Sequence, residues 1–142
     1  MSSVPFPVRR SLPAARLFQA GLLAAFGAAA ANLLLYFIAR TALGQEINVA
    51  AELGGVLGPA PVLIASAAAG LAATLGYLAL HFFSQRPLYV FQGSVAAFAL
   101  FSLVSPLTAA GVDGNSQLIL TMMHFVAAAV VVGVLTRAAR AD

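Results

Sequence analysis

The chain of 142 residues contains no cysteine, no tryptophan and no lysine. Without cysteine there is no disulfide, no thiolate metal site and no cysteine-held iron–sulfur cluster. Charge is also scarce: Asp, Glu, Lys and Arg make up 8% of the residues, against about 25% in a soluble domain. The four acids are Glu46, Glu52, Asp113 and Asp142, and none lies inside a long apolar run. Proton- and cation-coupled carriers usually hold a titratable carboxylate at membrane depth, and this chain offers none there. The seven basic residues are all Arg and are dispersed. The sequence pI of about 10.2 therefore reflects few acids, not a basic surface for nucleic acid.

What remains is apolar. Hydrophobic residues make up 62% of the chain and the mean hydropathy is +0.99, so lipid must solvate much of it. A membrane-crossing helix needs about 20 residues. Four runs meet that length, at 17–39, 59–83, 88–110 and 117–136. The expected fold is all-α, a polytopic membrane four-helix bundle built as one domain over 17–137. A polar tail precedes it at 1–16 and a short tail follows at 138–142. The first run competes with a signal peptide cleaved near Ala28-Ala29-Ala30. It continues through Leu33 to Ile38 and ends only at Arg40, which favours a span.

The connections carry recognisable punctuation. The loop at 40–58 holds Gly54, Gly55 and Gly58, yet is apolar enough to lie on the interface or fold back as a short helix. Pro59 and Pro61 open the second span. Ser84-Gln85-Arg86-Pro87 reads as a tight turn, and GVDGNS at 111–116 as another.

Charge predicts orientation. Arg9, Arg10, Arg16, Arg86, Arg137 and Arg140 fall on one side of the four spans. Arg40 stands on the other with Glu46, Glu52 and Asp113. The positive-inside bias predicts cytoplasmic termini and a multi-pass protein of the plasma membrane. Arg40 caps the outer end of the first span, and ion pairing with Glu46 and Glu52 is expected there.

Small residues recur every four positions: Gly21/Ala25/Ala29, Ala65/Ala69/Ala73, Ala68/Ala72/Gly76 and Ala129/Gly133. Such rows let helix backbones approach closely. They either hold the four helices together or face a second copy or a partner subunit.

The polar residues in the interior of the spans, away from their ends, are Asn32, Ser66, Thr74, Gln92, Ser94, Ser102, Ser105, Thr121 and His124. At a rise of about 1.5 Å per residue, Asn32 and His124 each lie roughly 10 Å below the outer end of their spans. Ser66 and Ser102 fall near that level, and Ser105 lies closer to the surface. Asn32, Ser66, Ser102, Ser105 and His124 thus form a candidate polar cluster in the outer half of the bundle. It reads either as interhelical glue or as a small ligand pocket. Pro106 is expected to kink the third span at this level and free a carbonyl near Ser102.

His81 lies near the inner end of the second span, roughly 20 Å along the axis from His124. The two cannot share a metal or clamp one haem, and no cofactor is expected. Ser105 is the only hydroxyl nucleophile near His124, and no third group completes a catalytic set, so no enzymatic activity is expected.

Several landmarks now stand together: Ala31-Asn32-Leu33 and Ile38-Ala39-Arg40, then Ser102-Leu103-Val104-Ser105-Pro106-Leu107, then Met123-His124-Phe125 and Leu135-Thr136-Arg137. They resemble a family of small four-helix bacterial integral membrane proteins, common in actinobacteria and described only as a domain of unknown function. The resemblance covers about 17 to 137. It implies the fold and the membrane location and brings no activity with it. The expected role is a non-enzymatic structural or accessory subunit. Its partners would be the lipid bilayer and either copies of itself or a larger membrane complex, with no nucleic acid. The alternative is an oligomeric small-molecule or ion transporter or channel with a pocket around Asn32, Ser102 and His124.

Overall fold

The computed structural model describes residues 14–140. Helix α1 covers Ala14–Phe37 and runs on as a wider π-helical turn over Ile38–Ala42. Helix α2 covers Pro59–Phe83 and α3 covers Pro87–Ser102. A short α4, Val104–Thr108, continues α3 after a break at Leu103, and α5 covers Gly114–Arg140. The result is a membrane four-helix bundle, with stretches of 28, 25, 22 and 27 residues apolar enough to cross a bilayer. Helix extends beyond both expected tail boundaries, starting at Ala14 and ending at Arg140. The expected tail at 1–16 lies mostly outside the described residues.

Proline placement explains two of the helix starts. Pro59 follows extended Gly58, and Pro87 follows the Ser84–Arg86 turn, where a missing N–H costs nothing. Antiparallel succession puts both described termini and the Ser84–Arg86 turn at one end of the bundle, here the terminal end. The 43–58 loop and the 109–113 turn occupy the other, the loop end.

Helix α1 is the middle of the molecule and packs along α2 on one face and α5 on the other. Its seam with α2 is made of small side chains. A Cβ built on Gly70 would lie 2.5 Å from the Ala25 Cα, and one on Gly21 would overlap the Thr74 side chain. Along the seam Gly21 meets Thr74 and, one turn on, Ala25 meets Gly70, while Asn32, two turns further along α1, reaches Ser66. Thr74 does not pay for its burial, because its hydroxyl donates to the Gly70 carbonyl at 2.8 Å. On the α5 side, Leu17, Ala20, Ala24 and Ala28 bury against Val131 and Leu135.

Helix α3 sits at the periphery. At the terminal end it is anchored by the Tyr77–Phe91 ring contact, 5.0 Å between centroids, and by Gln92 Nε2 donating to Thr136 Oγ1 at 3.1 Å. Further along, Ala96, Ala97, Phe98, Leu100 and Phe101 are all exposed to the lipid-facing surface. Where a kink was expected from Pro106, the helix is interrupted at Leu103, three residues before the proline. Pro106 has no N–H for the Ser102 carbonyl, so the ladder breaks and Leu103 N turns to the Leu100 carbonyl at 3.3 Å.

The 43–58 loop forms a small hairpin, not the interfacial helix that its composition allowed. Asn48 and Val56 make an antiparallel bridge, and Leu57 N donates to the Ile47 carbonyl at 2.8 Å. A single 3-10 turn, Ala51–Leu53, reverses the chain, followed by Gly54 and Gly55 at φ of 102° and 76°. Those angles suit glycine and no β-branched residue. Ile47 drops fully buried onto Tyr36, Ala39, Val62 and Met123, so the hairpin closes the loop end of the bundle.

Candidate intramembrane cleft

Asn32 lies on the seam between α1 and α2, where its Nδ2 donates to Ser66 Oγ at 2.9 Å. Both residues are buried. Asn32 Oδ1 is buried as well and has no hydrogen-bond partner. His124 is half-buried on α5, with Nδ1 2.8 Å from the Leu120 carbonyl one turn earlier. A carbonyl only accepts, so Nδ1 is the donor of this hydrogen bond.

Asn32, Ser66 and His124 line one cleft of about 170 Å³. It exists because α2 and α5 both lean on α1 and touch each other little. Ala65 and Ala69 of α2 and Met123 and Ala127 of α5 form its apolar walls, and Leu57 from the hairpin bounds it towards the loop end. No charged side chain lines it, so its polarity comes from an amide, a hydroxyl and an imidazole.

The cluster expected from depth alone therefore divides. Ser102 and Ser105 do not line the cleft. Ser102 Oγ donates to the Ala99 carbonyl of its own helix at 2.8 Å, and Ser105 is exposed. Most α3 positions after Gln92 are exposed, and in α4 it is Pro106 that is buried while Ser105 beside it is exposed. Thr121 Oγ1 on α5 is buried without a hydrogen-bond partner. His81 stands at the terminal end with its ring against Phe82, and its Nδ1 is buried without a partner. Among the described residues, no three His, Cys, Asp or Glu side chains gather to hold a metal.

At the loop end, Arg40 and Glu46 approach to 3.7 Å, both exposed, as the charge pattern suggests. An exposed pair of this kind contributes little. The Glu52 side chain lies outside the described ones. A tighter polar lock stands nearby. Asn48 Nδ2 donates to Asp113 Oδ2 at 2.8 Å, and Ser116 Oγ donates to the same oxygen at 2.6 Å. Ser116 N donates to Asp113 Oδ1 at 3.0 Å, and Asn48 N donates to Ser116 Oγ at 2.8 Å. Asp113 thus caps the start of α5 and ties the hairpin to it. These donors hold its carboxyl well below the usual carboxylate range, the Ser116 hydroxyl first and the Asn48 amide next.

A family of unknown function, DUF6069, matches residues 12–141. The chain belongs to this family. Neither the curated proteins nor the solved structures contain a match to it. DUF6069 membership agrees with the small four-helix membrane domain that the landmark residues imply, and it assigns no activity to the cleft.

Two features of this DUF6069 chain escape a reading of its sequence. The α2 seam is Val62/Ser66/Gly70/Thr74/Tyr77, whereas Ala68/Ala72/Gly76 is exposed; of the row Ala65/Ala69/Ala73, the first two are exposed at the cleft and Ala73 packs against the core. The buried row mixes sizes and polarity, so a search for small residues passes over it. The Asp113 lock did carry a signal, an Asp three residues before Ser at a helix start, but its partner Asn48 is distant in sequence.

Proposed function

We propose that this DUF6069 protein is a non-enzymatic accessory subunit of a bacterial plasma membrane, with both termini cytoplasmic. Its task would be to assemble with other membrane helices. The observation that carries this reading is the exposed row Ala68/Ala72/Gly76 on α2, beside an α3 that is exposed over most of its length. Small residues at four-residue spacing allow close backbone approach, which is what drives helix association in lipid. In its own bundle the protein leaves this row unused.

Orientation rests on charge: Arg16, Arg86, Arg137 and Arg140 belong to the terminal end, Arg9 and Arg10 precede them in the sequence, and Arg40 belongs to the loop end. The absence of cysteine makes this directly testable. In intact cells an impermeant maleimide should label Ala51→Cys and spare Ser84→Cys, and the reverse result overturns the orientation. For assembly, the protein extracted in mild detergent should migrate as a complex larger than one chain. Ala72→Leu should lower that assembled fraction without lowering the melting temperature. A wild-type protein that is a monodisperse monomer overturns the subunit reading.

The alternative, an oligomeric transporter with a path past Asn32, Ser102 and His124, has less support. Leu17, Ala24, Tyr77, Phe91, Val131 and Leu135 pack as a buried apolar cluster in the terminal half, and the cleft does not continue through it.

A further inference from the structure

The cleft between α2 and α5 combines an unmet polar demand with an apolar body. Asn32 is 5% exposed, and its Oδ1 has no donor. Leaving a buried acceptor unpaired costs on the order of 1–3 kcal/mol. Ser66 Oγ accepts from Asn32, and its own proton is available to another acceptor. His124 presents Nε2 beside them, since Nδ1 is committed to the Leu120 carbonyl. A hydroxyl group answers this set: with a small turn of the Asn32 amide towards the cleft, one O–H can donate to the otherwise buried Oδ1 while its oxygen accepts from Ser66.

The rest of the occupant follows from the walls. No charged residue lines the cleft, so the occupant is neutral. Pro61, Ala65 and Ala69 line it and are exposed at the lipid-facing surface, so it opens sideways into the bilayer. Leu57 and the hairpin cover it towards the loop end. An apolar cavity of about 150 Å³ accepts a molecule the size of benzene. A volume of about 170 Å³ therefore takes a hydroxyl-bearing end and a few carbons, with the remaining chain lying outside along α2. We infer that the cleft is a binding site for a neutral, single-hydroxyl lipid-phase amphiphile, held by Asn32 and Ser66 with His124 alongside.

A photoreactive octanol tests this on the full chain in detergent or nanodiscs, with a photoreactive octane of equal length as the control. Adducts located by mass spectrometry should concentrate on Met123, His124, Ala127 and Ala65 for the alcohol and scatter over the lipid-facing surface for the alkane. Asn32→Leu should reduce cleft labelling by the alcohol about fivefold, the loss of roughly one hydrogen bond. Ser66→Ala should also reduce it, and melting curves would confirm that both variants are folded. Equal labelling by alcohol and alkane, or labelling unchanged in folded Asn32→Leu and Ser66→Ala, overturns the proposal. The cleft would then hold only lipid chains or water.

Discussion

At the level of single residues, two positions carry disproportionate weight. Gly70 is one, because α1 passes so close that any side chain would strike the Ala25 backbone. Gly70→Ala should cost about 1–3 kcal/mol through overpacking, read as a lower melting temperature in mild detergent. Gly76→Ala is its control: a Cβ there meets nothing within 4 Å, and stability should hold or rise slightly. Asp113 is the other. Its carboxyl is held below the ordinary value of 3.8 by hydrogen bonds made only in the folded protein. The sign follows from linkage. The ionised form is preferred by the folded state, so the contribution is complete above the unfolded value and disappears as pH falls below it. The melting temperature of the wild type should therefore drop below about pH 4, and Asp113→Asn should remove that component and start from a lower stability at neutral pH.

At the level of elements, the helices are unequal. Helix α1 is buried on two faces because its small residues permit two close neighbours, whereas α3 is held mainly by its first turns. The Gln92–Thr136 hydrogen bond is one of the few polar ties between α3 and α5. A double-mutant cycle with Gln92→Ala and Thr136→Ala, read by unfolding in detergent, should give a coupling of about 0.6 kcal/mol, typical of interhelical bonds in membranes. The break between α3 and α4 was legible, since proline removes a donor wherever it stands. Its consequence for Ser105 was not, because hydropathy carries no information on which way a kinked segment turns.

At the level of the whole molecule, a three-helix core of α1, α2 and α5 supports a lightly attached α3 and a hairpin lid at the loop end. This asymmetry links the two functional readings. The exposed α2 and α3 surface suits another membrane helix, and the cleft beside α1 suits a lipid-phase ligand.

The number of spans, the proline-marked starts of α2 and α3 and the expected inside face follow from composition, because hydrocarbon thickness, proline and Arg placement act locally along the chain, whereas α1 and α5 run on beyond the ends that hydropathy gave them. That Asn32 and His124 share one level was equally legible, since rise per residue is constant and both line one cleft. What depth could not supply was azimuth. Whether two residues at one level meet depends on helix rotation, tilt and neighbour, and those are settled only when whole surfaces compete for burial. That competition put Ser66 and His124 in the cleft with Asn32, turned Ser102 onto its own backbone, and chose Gly70 over the Ala68/Ala72/Gly76 row as the place where α1 comes closest.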